Sequence, residues 1–201
     1  MKDPVLQAQL LAIVRDDVRR LDRLLSDISE ASRLDAQLSR AKFEPVDIAA
    51  MIGGLVAQRD ARGVERGIRL RFDRNPDDRT VILGEGARLE RVFENLIDNA
   101  LSFSPDAGLI AISASQTDDE LVVRVEDEGP GVPEEAREEV FKRFHSVRPD
   151  SETFGQHSGL GLAIARTIVD GHQGSIVVES REDRLSGARF VVRLPLADMP
   201  L

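Results

Sequence analysis

Apolar residues recur at alternating three- and four-residue steps through the first part of the chain: Leu11, Val14, Val18, Leu21, Leu25 and Ile28. That spacing predicts a helix over residues 5–40 with a heptad seam and charged residues on its other faces. A second row, Leu6, Leu10, Ile13 and Leu24, widens the stripe to that of a helix in a bundle. At about 1.5 Å per residue such a helix is roughly 50 Å long. It cannot bury this stripe alone, which implies partner helices in a dimer, with a helix lying on its own globular domain as the alternative.

The pattern breaks at Phe43-Glu-Pro-Val-Asp47, where proline ends the helical run and Asp47 is placed to cap a new helix reaching residue 62. Residues 68–72 and 81–83 have strand composition, with Asn75-Pro-Asp-Asp78 as the turn between them. From residue 85 a longer helix is predicted. Its apolar positions Leu89, Val92, Phe93, Leu96, Ile97 and Ala100 share one broad face, and it ends before Ser104-Pro105. Strands are predicted over 109–115 and 121–126 around a polar turn at 116–120. A helix follows over 160–172, then strands over 175–179 and 188–194 joined by a charged loop containing Gly187. The sum over residues 43–201 is an α+β fold, a two-layer α/β sandwich with helices on one face of a mixed sheet. Residues 1–42 stand apart as the preceding bundle helix.

Composition narrows the function. With 201 residues and 41% hydrophobic content, the chain can build one good core or two modest domains. No apolar run approaches the length needed to cross a bilayer, so membrane attachment is expected only through segments outside this sequence. Zero cysteines exclude disulfides and thiolate metal sites and fit a cytoplasmic, reducing setting. A net charge of −9 and the absence of Trp and Tyr argue against nucleic acid as a partner.

The chemistry concentrates between Asp127 and Leu162. A predicted strand ends in the carboxylate of Asp127, and Gly129 and Gly131 follow it. Such a carboxylate accepts hydrogen bonds from an exocyclic amine such as that of adenine, while the glycines admit a flat ring. Gly159 and Gly161 stand at the start of the helix over 160–172, where unpaired N–H groups and the helix dipole suit phosphate. The polar stretch between the two turns contains Pro149 and reads as a lid over a ligand. Asn95 and Asn99 are four apart and so share a helix face. Alone they read as satisfied core amides. Beside the downstream glycine turns they read as ligands, with the amide oxygen of Asn99 suited to Mg²⁺.

With these residues in view, the chain resembles the catalytic ATP-binding domain of the sensor histidine kinases, in the superfamily that includes Hsp90, gyrase and MutL. The resemblance covers residues 43–197. Asn95-Leu-Ile-Asp-Asn99-Ala is similar to the N box, Asp127-Glu-Gly-Pro-Gly131 to the G1 box, Phe141-x-x-Phe144 to the F box, and Gly159-Leu-Gly-Leu162 to the G2 box. The resemblance implies that Asp127 reads adenine, Asn99 holds Mg²⁺, the Gly159 turn cradles phosphate and residues 133–158 form the lid. It further implies nucleotide contacts from Asn95, Gly129, Gly131, Phe144, Ser158, Leu160 and Gly161. Arg143, with Lys142 and Arg148 as weaker candidates, is positioned in the sequence to offset phosphate charge.

Two departures bear on the reaction. Hydrolysing members of the superfamily carry glutamate where Asn95 stands, and an amide cannot act as the general base for water. Glu94 is adjacent but lies about 100° away around the helix. The expectation is slow hydrolysis and a site that positions the γ-phosphate for another nucleophile. Ser102 stands where many of these kinases have Lys or Arg in the N box, which removes one phosphate contact.

The family also needs an acceptor imidazole on a dimerising hairpin. This chain has only His145, His157 and His172. The first two fall in the expected lid, and the third looks like a helix terminator. Residues 1–42 resemble the second hairpin helix alone, so the chain reads as the C-terminal part of a larger kinase that would not label itself. The run from Val18 to Asp35, Ser102-Phe-Ser-Pro and Phe154-Gly-Gln-His-Ser-Gly also resemble the ChvG type. That likeness implies a parent anchored in the inner membrane and a response regulator as partner. Two alternatives stay open: an ATPase or serine kinase of the same superfamily, and a non-catalytic dimerisation module.

Overall fold

The computed structural model describes residues 42–143, 159–181 and 186–197. The predicted helix over 5–40 lies outside these, as do Phe144, His145, Arg148, His157 and Ser158.

Seven strands and three helices follow one another: β1 Glu44–Asp47, α1 Ile48–Arg62, β2 Arg69–Arg74, β3 Val81–Gly84, α2 Gly86–Phe103, β4 Leu109–Thr117, β5 Glu120–Glu126, α3 Gly161–Gly171, β6 Ser175–Ser180 and β7 Ala188–Pro195. Two short 3-10 turns, Glu134–Ala136 and Glu139–Phe141, lie between β5 and α3. The main sheet has the order β2-β4-β5-β7-β6, and β1 pairs with β3 in a separate ribbon. All pairings in the main sheet are antiparallel except β2 with β4.

Period-two alternation sends one row of each strand toward the helices. Ile112, Val125, Phe190 and Val178 stand in register across four strands, and Ala114, Val123, Val192 and Ile176 form the next row. Each of these side chains is buried. The six apolar positions of α2 are also buried, Leu89, Leu96 and Ile97 completely. At about 1.5–3 kcal/mol per buried large side chain, this face of α2 fixes the helix against the sheet. Its polar face is thereby left to the ligand side.

One expectation is corrected. Phe43-Glu-Pro-Val-Asp47 is not only a break, since Glu44–Asp47 form β1, with Pro45 opposite Leu83. Proline is tolerated in this two-stranded ribbon as it is at sheet edges. The turn at 75–78 lies between β2 and β3 as expected, and the two strands it joins pair elsewhere. β2 pairs with β4 in parallel and β3 with β1, because α2 carries the chain across between β3 and β4.

His172, expected to terminate its helix, stands at the C-cap of α3 and does more. The ring is buried and stacks on Phe43, with centroids 4.9 Å apart. Nδ1 lies 2.7 Å from the Ile168 carbonyl, and Nε2 accepts from the Glu85 N–H at 3.0 Å. A carbonyl only accepts and an amide N–H only donates, so the ring is neutral with its proton on Nδ1. The imidazole thus ties the end of α3 to the start of α2.

Asp47 caps α1 through Ala50 N at 3.1 Å and accepts the buried Thr80 hydroxyl at 2.8 Å. Desolvation pushes its carboxyl up, but the bonds from Ala50, Thr80 and Ala49 and the charge of Arg74 together hold it below the ordinary value of 3.8. Its contribution is therefore present above that value and is lost as pH falls through the lower folded one. Asp47→Ala should cost about 2 kcal/mol at neutral pH, and denaturant titration should show the difference from wild type vanishing below the ordinary carboxylate range.

Candidate nucleotide site

Asp127 directly follows β5, where the sheet turns into the glycine segment. Its side chain is 1% exposed. Burial alone would penalise the charge, and the local backbone offsets that penalty. Gly129 N and Ala188 N donate to Oδ1 at 2.8 and 3.1 Å, and Asp127 N donates to the Ala188 carbonyl at 3.0 Å. Both donors to the side chain fall on Oδ1, so Oδ2 is the oxygen left for a ligand donor. Desolvation pushes the carboxyl above the ordinary 3.8 even though the bonds from Ala188 and Gly129 and the charge of Arg181 act downward.

The glycines permit this packing. A Cβ on Gly129 would lie 2.7 Å from the Phe103 carbonyl oxygen at the end of α2 and 3.0 Å from Asp127 Oδ1. Gly131 has φ +78°, and a Cβ there would lie 2.9 Å from the Gly187 carbonyl oxygen. The turn after Asp127 is thus pressed between the end of α2 and the entry to β7. Glu128, within the same turn, accepts from Leu109 N at 2.9 Å and fastens it to the first residue of β4.

Asn95 and Asn99 lie on one face of α2, both half-buried. Asn95 Nδ2 donates to the Gly161 carbonyl at 3.0 Å, which joins the middle of α2 to the first residue of α3. A Cβ on Gly161 would come within 3.4 Å of Asn95 Cγ and Oδ1. Asn99 makes no hydrogen bond with a described residue, so its amide is available to a ligand. Gly159 has φ +67° and precedes the α3 N-terminus. Leu160 is 1% exposed and packs in the core, so only its backbone can face a nucleotide. Glu94 leans toward Arg91, 3.8 Å away.

The structure brings Asn95, Gly161 and the turn of Asp127 to Gly131 around the polar face and end of α2. It does not bring Arg143 to them. That residue is exposed after the second 3-10 turn, and no described contact links it to the glycine turns. Lys142 pairs with Glu139. Phe141, by contrast, is anchored: its ring meets Phe190 edge-on at 6.3 Å, and the Arg166 guanidinium lies 5.1 Å above it while pairing with Glu138 at 2.8 Å. Arg137 donates to Ser180 Oγ at 2.7 Å. The entry to the expected lid is therefore held to α3 and β6. Sequence reading missed Glu128, Arg166 and Arg181; Glu128 lies within a quoted motif, while the two arginines carry no local signal.

Among the described residues no group of three or more His, Asp or Glu could hold a metal. A divalent ion would therefore need phosphate oxygens and water in addition to the Asn99 oxygen, which fits the way Mg²⁺ is bound with nucleotides. Among the described residues no helix is long and apolar enough to cross a membrane.

Residues 84–198 match the family model described as histidine kinase-, DNA gyrase B-, and HSP90-like ATPase. The chain belongs to that ATPase family. It is 43% identical over 201 residues to the sensor protein ChvG of Rhizobium meliloti (strain 1021), a match spanning 96% of this chain and 35% of that one. The chain thus spans about a third of the length of the curated relatives it matches. The full-length structure of ShkA in complex with AMPPNP superposes with a TM-score of 0.79 at 28% identity, over 100% of this chain and 42% of that one. The histidine kinase ThkA, solved in complex with the response regulator protein TrrA, shares the fold with a TM-score of 0.76 at 24% identity, over 98% of this chain and 53% of that one. Over its matched region the chain is thus similar to sensor proteins while belonging to this ATPase family.

Because its carboxyl is raised, Asp127 costs stability wherever the folded protein holds it ionised. Its favourable contribution is complete below 3.8 and is lost as pH rises through the folded value. Asp127→Asn keeps an oxygen for Gly129 N and Ala188 N without the charge. Thermal unfolding at pH 7 should find this variant at least as stable as wild type, with the difference shrinking under acid conditions.

Proposed function

We propose that this chain binds Mg-ATP across the polar face of α2 and delivers the γ-phosphoryl group to a histidine other than its own three. In this reading Asp127 Oδ2 accepts from the adenine amine, and Gly129 and Gly131 leave room for the ring. Asn99 gives an oxygen to Mg²⁺, which when bound would offset charge on the phosphates. The backbone at Gly159, Leu160 and Gly161 faces the phosphates at the α3 N-terminus, and Ser158 and Phe144 are the further contacts this reading calls for. Arg143 would reach the phosphates from the lid. The observation that carries the reading is the buried Asp127 carboxylate, with one oxygen occupied by backbone donors and the other available.

The transfer breaks the bond between the γ-phosphorus and its bridging oxygen, releases ADP and forms a phosphorus–nitrogen bond to imidazole. The chain's residues support it by placement. Asn95 is an amide, too weakly basic to take a proton from water, and its NH₂ is given to Gly161, while Glu94 points toward Arg91. This favours phosphotransfer over hydrolysis. His172 is no acceptor in this reading, because both its ring nitrogens are bonded and buried. Residues 1–42 would be the second helix of the dimerising hairpin, with residue 43 opening the catalytic unit. The parent would be a homodimer anchored in the inner membrane, with this part in the cytoplasm and a response regulator receiving the phosphate.

Calorimetric titration with AMPPNP and Mg²⁺ tests the site. Asp127→Asn should weaken binding roughly ten- to hundredfold. Asn99→Ala should weaken it about tenfold with Mg²⁺ and little without it. No binding by the folded parent chain would move the function to that of a scaffold.

Incubation of the chain with γ-labelled ATP gives a second test. No acid-labile label should appear, and label on His145, His157 or His172 would overturn the assignment of the acceptor.

A further inference from the structure

Arg181, the first residue after β6, is half-buried behind the Asp127 turn. Its Nη1 donates to the Asp127 main-chain carbonyl at 2.9 Å. Its Cδ lies 3.0 Å from where a Cβ on Gly187 would stand. The stem therefore crosses the glycine that opens the way to Ala188, whose N–H holds Oδ1. We propose that Arg181 is a positioning residue of the nucleotide site, which fixes the Asp127 backbone and keeps its carboxylate in the charged form that accepts the adenine amine. This rests on the assignment of Asp127 to adenine.

The surrounding charges single out this arginine. On β5 and β7, Glu126 and Arg189 pair with each other at 2.6 Å. Glu128, in the turn itself, is bonded to Leu109 N. At the end of α2, Arg66 pairs with Asp106 at 2.7 Å and donates to the Ser104 carbonyl. Asn99 is uncharged. Among the described residues Arg181 is the cation whose charge acts on Asp127, against the desolvation that favours protonation. A nearby positive charge favours the ionised carboxylate, and partial solvent exposure limits the effect.

The test is affinity for AMPPNP with Mg²⁺, measured by calorimetry from the ordinary carboxylate range up to about pH 8, on the parent chain and four variants. Wild type should lose affinity on acidification as Asp127 takes a proton. Arg181→Gln keeps a donor for the carbonyl without the charge, and Arg181→Met removes both. Both should move the midpoint of this loss up by roughly 0.5–1 pH unit, and at pH 8 Arg181→Met, which also frees the Asp127 carbonyl, should bind roughly several-fold more weakly than Arg181→Gln. Arg181→Lys should restore the wild-type midpoint, and Asp127→Asn should give a flat, weak profile. A folded Arg181→Gln variant with the wild-type midpoint, or with affinity reduced equally at every pH, overturns the role of Arg181. Wild-type affinity in Asp127→Asn overturns the adenine assignment instead.

Discussion

The site depends on one buried carboxylate. Taking Asp127 out of water is unfavourable, and the structure spends two backbone N–H groups and one guanidinium around it. Each of these imposes a condition elsewhere. Gly129 N reaches Oδ1 only if the turn closes over the Phe103 carbonyl, which leaves no space for a side chain at 129. Ala188 N reaches it only if β7 enters beside β5 with residue 188 opposite Asp127, and that register also sets Phe190 against Val125 in the core. The pocket chemistry and the sheet register are thus one constraint.

α2 serves both layers. Its apolar face is completely buried at Leu89, Leu96 and Ile97, so the helix cannot rotate to relieve a polar contact. Asn95 and Asn99 are consequently held in fixed directions, one toward Gly161 and one without a hydrogen-bond partner among the described residues. His172 fixes the other end of the same arrangement by accepting from Glu85 N, just before α2, while it terminates α3. Two bonds, from Asn95 to Gly161 and from Glu85 to His172, therefore set α2 and α3 relative to each other at both ends of α3. The glycine turn before α3 takes its place from that packing.

Much of this was legible in the sequence where a periodic pattern and burial coincide. All six apolar positions read on α2 are buried, and the alternating strands β4 to β7 appear within a residue or two of their expected limits. The order of the glycine turns relative to Asn95 also told the family, now shown by the matched region. β1 was not legible, because four residues containing Pro45 carry no alternation and owe their strand to β3. Nor was the parallel pairing of β2 with β4, since local turn residues say nothing about a crossover. Arg181 was hidden for a similar reason: it opens a charged run whose local composition reads as solvated surface, and its partner is 54 residues away.

The end of β6 shows how distant pieces meet at the site without a motif of their own. Ser180 accepts from Arg137, in the segment that leads toward the expected lid, while its neighbour Arg181 donates to the Asp127 carbonyl. Successive residues of an extended chain point to opposite sides, so one strand end can serve two separate partners. Among the described residues β6 is an edge strand that pairs only with β7, and its own ladder would leave this end weakly tied. The two arginine bonds compensate by fastening it to the turn of Asp127 and to the segment at Arg137. Position within the sheet, rather than residue type, therefore makes an ordinary Ser-Arg pair a brace for the turn of Asp127.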